Sequence, residues 1–207
     1  MPHRLLRLKK PLPRSFYLRP TLQVARSLLG KYIVRKFNRK VLVGKIVEVE
    51  AYVGPKDPAS HAYIGMTERN KVMFGDGGHA YVYFTYGMHY CFNVVTERAG
   101  YPAAVLIRAV EPIEGINVMR MNRGFTELDR DERNLTNGPA KFCETFGIRR
   151  EMNGTDLTRD ELFLTKGKDI PRSKIGSSKR VGIRNGKEKN WRFFVKGNKF
   201  VSTLKLL

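Results

Sequence analysis

At 207 residues, 42% hydrophobic and 11% aromatic, the chain is long enough for one ordinary core and too apolar for a disordered polymer. Its 39 Lys and Arg against 19 Asp and Glu leave a net charge of +20, which favours a polyanionic partner, with nucleic acid and an anionic membrane surface as the two candidates. There is no run of about 18 apolar residues to span a bilayer, and the basic, Pro-broken start (Arg4, Arg7, Lys9, Lys10, Pro11, Pro13) has no apolar signal core.

Residues 1–14 read as a basic arm ahead of a single domain over 15–207. Leu22, Ala25, Leu28 and Leu29 at helical spacing predict a helix from Thr21, with Thr21 as N-cap and Gly30 as the stop. Strands are expected at 31–37 and 41–53, then a loop over 54–78 with a short helix near Arg69–Phe74. Ala80–Tyr86 and Tyr90–Val95, split by Gly87-Met88-His89, predict an aromatic hairpin. Ala104–Val110 follows as a strand, and Pro112 is expected to open a helix bearing Ile113, Ile116, Met119 and Arg120. A second helix is expected from Asn137-Gly138-Pro139 to Gly147. Short strands close the chain at Leu162–Thr165, Lys179–Arg184 and Arg192–Val195, with a basic loop between the first two. Many strands, few helices and no βαβ rhythm define an α+β class.

Strict alternation in 46–53 places Ile46, Glu48, Glu50 and Tyr52 on one face and Val47, Val49, Ala51 and Val53 on the other. Two readings stay open for the glutamates: a solvated edge strand paired to Lys45, or a carboxylate that activates a water beside a stacked ligand. Alternation in the hairpin places Tyr81, Tyr83 and Thr85 opposite Val82, Phe84 and Tyr86. Tyr81 and Phe84 are expected in the core. The Tyr-Gly-Met-His tip carries bulky groups where turns place small polar ones, so it is either a wedge for a duplex or a packed tip. Arg108 is a lone cation in an apolar strand, for which Glu50 is the natural counterion. Asn93 is a polar residue in another apolar strand; it either satisfies backbone groups or reads a ligand edge.

Other motifs carry no chemistry. Gly75-Asp76-Gly77-Gly78 lacks the Lys-Ser/Thr of a phosphate loop, and His3, His61, His79 and His89 lack metal-ligand spacing, so no metal or cofactor is expected. Cys91 and Cys143 sit in apolar contexts and read as buried thiols in a reducing compartment, so a cytoplasmic protein is expected.

Taken together these segments resemble the alkyladenine (3-methyladenine, methylpurine) DNA glycosylase family, from about Pro20 to Ser202. The residues that carry the resemblance are Ala25-Arg26-Ser27-Leu28-Leu29-Gly30, Ile46 to Pro55, His61, and Thr67-Glu68-Arg69-Asn70 with Met73-Phe74. Tyr81-Val82-Tyr83 with Tyr86-Gly87-Met88, Leu106-Ile107-Arg108-Ala109 with Glu111-Pro112, and Gly138-Pro139-Ala140-Lys141 complete the set. The resemblance implies a mixed domain with a curved, mostly antiparallel β core, flanking helices and a protruding β-hairpin. It implies that Glu50 is the general base for a water attacking C1′, and that Arg108 helps hold that water and favours ionised Glu50 by its charge. Tyr52, His61 and Tyr83 are implied as walls for an extruded base, Tyr86 as the side chain inserted into the minor groove, and Asn93 as the amide that excludes guanine. His89 stands where some relatives carry a phenol or phenyl.

The expected function is monofunctional hydrolysis of alkylated or deaminated purines (3-methyladenine, 7-methylguanine, hypoxanthine, ethenoadenine) from double-stranded DNA. The enzyme is expected to act as a monomer, without a membrane partner, in the cytoplasm or on the nucleoid if bacterial. The alternatives are a non-catalytic protein that binds distorted duplex through the same hairpin and, from the basic surface alone, an RNA-binding protein.

Overall fold

The structure, a computed structural model, describes residues 10–37, 40–159 and 161–202. Most of the predicted N-terminal arm (1–9) lies outside the described residues. In chain order the elements are α1 (Arg14–Tyr17), α2 (Thr21–Leu28), β1 (Tyr32–Phe37), β2 (Lys40–Tyr52), β3 (Ala80–Thr85), β4 (His89–Thr96) and β5 (Ala103–Glu114). They continue with α3 (Ile116–Asn122), α4 (Pro139–Phe146), β6 (Leu162–Thr165), β7 (Ile175–Ser178) and β8 (Arg192–Val195), with short 3-10 turns between. The result is the expected α+β domain: a curled, antiparallel sheet in the order β3-β4-β5-β2-β1-β6, with β7 and β8 attached through β2. No helix among the described residues is long and apolar enough to cross a membrane.

The 13-residue strand β2 organises everything else. A strand has two edges, and β5 takes one of them from Val43 to Tyr52. The other edge is shared: β1 pairs with residues 40–45, and β8 pairs with Glu48, Val49 and Glu50 through Phe194, Phe193 and Arg192. Irregularities in the β2–β5 register fall between Val43 and Gly44, Ile46 and Glu48, and Glu48 and Val49, and such bulges bend a strand and increase its twist. They also shift its phase. Ile46 packs in the main core with Val49 and Ala51, whereas Val47 packs with Ala109 and Phe200 in a separate cluster. The alternation expected from Ile46 onward therefore holds only from Glu48.

The core lies on one face of the sheet. Val24, Ala25 and Leu28 of α2 and Phe142, Cys143 and Phe146 of α4 pack on Ala80, Val82, Phe92, Val94, Val105 and Ile107. Both cysteines are buried and unpaired. α4 begins after Gly138 and ends at Gly147, where φ is +60°, as expected.

Three predicted boundaries move. Thr21 is the first residue of α2 and not its cap; its N–H and hydroxyl donate to the Glu97 carboxylate at 2.7 and 2.8 Å, which supplies the acceptor a capping side chain would. Pro112 does not open a helix. It lies inside β5 opposite Gly44, next to a register shift, where a proline is tolerated in a sheet, and α3 starts only after Gly115 (φ +80°). The strand expected at Lys179–Arg184 is instead β7 at Ile175–Ser178, and residues 179–190 form a loop over the open face of the sheet.

Candidate active site

The face of the sheet away from α2 and α4 carries the polar and aromatic residues. Register aligns Glu50 with Leu106, Leu106 with Asn93, and Asn93 with Tyr81, a continuous row across β2, β5, β4 and β3. Two residues along each strand, on the same face, stand Tyr52, Arg108, Cys91 and Tyr83. Together with His61, from a 3-10 turn after β2, and Tyr86, from the hairpin tip, they line a cavity of about 460 Å³. All seven residues singled out in the sequence (Glu50, Tyr52, His61, Tyr83, Tyr86, Asn93 and Arg108) line this one cavity.

Glu50 is fully buried and held at both oxygens. Oε1 accepts from the Val181 N–H at 2.8 Å and lies 3.1 Å from Arg108 Nη1; Oε2 accepts from the Tyr52 hydroxyl at 2.9 Å. The expected Glu50–Arg108 pair is present, but Arg108 is shared. Its Nε donates to Glu48 Oε1 at 2.7 Å. Glu48 also accepts from Arg192 Nε at 2.7 Å and from the Ser202 N–H and hydroxyl at 2.6 and 2.7 Å. Burial alone would raise the Glu48 pKa, but Arg108, Arg192 and the Ser202 hydrogen bonds outweigh it and hold the carboxyl below its usual range. Burial likewise opposes the charge on Arg108, and the Glu50 and Glu48 carboxylates reverse that effect, raising its pKa.

The aromatic walls are neutral. Desolvation, reinforced by the Glu50 charge, raises the Tyr52 phenol well above its usual range, so it remains a donor to Glu50. Desolvation also raises Tyr83, and it raises Tyr81 to about 12. His61 is lowered to about 4 by burial first and by the Arg69 charge second, so its ring is uncharged at neutral pH. That ring stands edge-on to Tyr83, with centroids 4.6 Å apart, and its Nδ1 is 2.8 Å from the Tyr81 hydroxyl. Tyr81 is thus buried as expected but serves the cavity, while Phe84, expected in the core, is 46% exposed.

Asn93 Nδ2 donates to the Tyr81 carbonyl at 3.0 Å, which satisfies a backbone group and fixes the amide in the cavity wall. Both of its open readings are therefore compatible with its position. At the tip, Tyr86 and Gly87 have φ of +52° and +69°. Positive φ in a bulky residue is uncommon. It breaks the alternation and brings Tyr86 to the cavity beside Thr85, although the strand pattern placed it on the opposite face.

Sequence reasoning missed the clamp that holds the loop over the cavity. Arg180, read among the cations of the basic loop where it meets the strand expected from Lys179, is buried: its Nη1 and Nη2 donate to Asp57 at 2.6 and 2.7 Å, and Nη1 also donates to the Ala51 carbonyl at 2.9 Å. Its guanidinium lies 4.8 Å from the Tyr52 ring centre. Arg180 thereby fixes the neighbouring Val181 N–H on Glu50 and braces Tyr52. The only local signal was Asp57 itself, an acid just past the Gly54-Pro55 turn, and nothing in the sequence connects it to position 180.

Such a cavity suits a flat ring held beside a carboxylate that can accept a proton. Comparisons with known proteins identify the family. Residues 15–199 match the model of the methylpurine-DNA glycosylase family. A protein of Carboxydothermus hydrogenoformans named "Putative 3-methyladenine DNA glycosylase" is 52% identical over 192 residues, covering 92% of this chain and 98% of that one. Proteins of the same name from Clostridium acetobutylicum and Methanocella arvoryzae are 50% and 48% identical, covering 93% and 92% of this chain and 97% and 95% of theirs. The chain belongs to the methylpurine-DNA glycosylase family and is a DNA glycosylase.

Proposed function

We propose that the cavity receives a damaged purine turned out of double-stranded DNA, with 3-methyladenine, 7-methylguanine, hypoxanthine and ethenoadenine as the substrate set, and that residues 15–207 act as a monomeric catalytic unit. Glu50 takes a proton from a water as the water oxygen bonds to C1′. The C1′–N bond breaks with its electron pair leaving on the base. A cationic alkylated purine leaves as a neutral molecule and needs no proton from the protein, whereas hypoxanthine or ethenoadenine, neutral in the nucleotide, leaves as an anion that takes its proton from water. A single base and a water nucleophile give inversion, without a covalent intermediate.

Extrusion costs a few kcal/mol, less for a damaged base, and stacking returns about 1–3 kcal/mol per base. Tyr52, Tyr83 and the neutral His61 ring are the stacking walls. An uncharged His61 matters here, because a protonated imidazole would repel a cationic base. Tyr86, 82% exposed at the tip, fills the vacated stack. The second N–H of Asn93 opposes the 2-amino group of guanine and so disfavours the normal base.

The observation that carries this reading is Glu50: a fully buried carboxylate held by Val181, Tyr52 and Arg108 in a cavity lined with aromatic rings. Glu50→Gln is expected to lower single-turnover base release by about 10²–10⁴-fold while lesion-duplex binding persists. Loss of binding together with activity would give Glu50 a structural role instead.

A further inference from the structure

Large apolar side chains are exposed in two neighbouring places beside the cavity. One is the hairpin tip, with Phe84, Tyr86 and Met88. The other is the end of the His61 turn and the loop that follows it, where Tyr63, Ile64 and Met66 are 53%, 79% and 62% exposed. Exposed apolar clusters of this kind mark contact surfaces more often than accidents of folding. This loop is firmly held. Asn70, itself buried, donates to the His61 and Gly65 carbonyls, both at 2.9 Å, and accepts from the Thr67 N–H at 2.7 Å. Gly65, at φ +88°, turns the chain between Ile64 and Met66. Arg69 joins the loop to the hairpin, donating to the Phe84 carbonyl at 3.3 Å and lying 5.1 Å from the Tyr83 ring centre.

We propose that residues 63–66 are a second apolar prong that presses into the duplex beside the Tyr86 tip, with Ile64 and Met66 against the base steps flanking the extruded nucleotide. The inference rests on the DNA reading of the cavity. Two features select duplex DNA as the occupant. The chain carries +20, so a second copy is repelled while a polyanion is attracted. Ile and Met are also among the side chains that wedge between base steps, and a step beside a vacated position is already partly unstacked. Polar or basic side chains would suffice for phosphate contact alone.

The test uses the full-length Glu50→Gln protein, so that a duplex with one hypoxanthine is bound and not turned over, and adds Ile64→Ser and Met66→Ser at these exposed positions. Binding is followed by fluorescence anisotropy across a range of salt. The expected result is about ten-fold weaker binding with an unchanged slope of log K against log salt and an unchanged unfolding midpoint. Unchanged affinity would overturn the proposal. So would a slope reduced by about 0.9 per contact, which would make the prong a phosphate contact, or sedimentation showing that the parent dimerises and the variant does not. If the wild type releases no base, or Glu50→Gln fails to bind the duplex, the reading of the cavity falls and takes the prong with it. If both behave as expected and only the prong variant binds like its parent, the prong alone falls.

Discussion

Replacing Asp57 with asparagine keeps the size of the side chain and removes the charge against which Arg180 is buried. Both side chains are inaccessible to solvent, and two short hydrogen bonds join them. Asp57 also accepts from the Val53 and Ala59 N–H groups, so an amide nitrogen in place of either oxygen would face a donor with a donor. Removing one partner of a buried ion pair costs about 3–5 kcal/mol. For a chain of this length, each kcal/mol moves Tm by about 2–4 °C, so a fall of roughly 10 °C is expected in thermal unfolding followed by circular dichroism. The effect depends on pH. Burial raises the Asp57 pKa, but the Arg180 hydrogen bonds and charge outweigh it and leave the group below its usual value. Its stabilisation is therefore complete above about pH 4, the unfolded value, and is lost as pH falls through the lower folded value. The variant should lose that part of the acid dependence. At 25 °C the folded variant should also release base at least about ten-fold more slowly, because Arg180 positions Val181 and Tyr52 on Glu50. A Tm within about 2 °C of wild type, or a lowered Tm with an unchanged rate, would refute the reasoning.

Two further perturbations probe other parts of the structure. A Cβ on Gly44 would lie 2.8 Å from Val110 Cγ2 and 3.0 Å from Phe146 Cζ, so Gly44→Ala should destabilise by about 1–3 kcal/mol in urea unfolding; an unchanged midpoint would show that the β2–β5 bulge relaxes freely. The His61 ring should titrate near pH 4 by proton NMR, and its stabilising effect is complete above the unfolded value of about 6.5 and declines as pH falls toward 4; titration near 6.5 would place the ring in solvent.

The strands and the Glu50–Arg108 pair were legible from period-two alternation and from charge out of place, and the other site residues from the family resemblance. Glu50 and Arg108 were visible because a carboxylate and a guanidinium in apolar strands need each other, and the aromatic hairpin was visible because Tyr81 and Tyr83 repeat at strand spacing. Bulges erased the same signal elsewhere: the two irregularities flanking Glu48 exchanged the faces of Ile46 and Val47, and Pro112 was read as a helix start because nothing in its neighbours announces a register shift. Tyr86 escaped the pattern because its positive φ is a property of the turn and not of the residue type.

The basic loop was illegible for a different reason. Counting charges cannot separate cations that face a polyanion from those that hold the protein together, and Arg180 sits among Lys179, Arg184 and Lys187 with no local mark to distinguish it. The structure makes the separation. Lys31, Arg35, Arg108, Arg180 and Arg192 are buried, and Arg108, Arg180 and Arg192 are bound to the buried carboxylates of Glu48, Glu50 and Asp57. The buried set therefore carries little net charge, and most of the excess remains for the surface. The same long-range pairs that no local pattern reveals, Asp57 with Arg180 and Glu48 with Arg192, are the ones that fix the donors on Glu50. Precision at the site thus comes from contacts 123 and 144 residues apart in the chain, which is why the residues that line the cavity could be picked out from strand alternation and the family resemblance while the contacts that hold them could not.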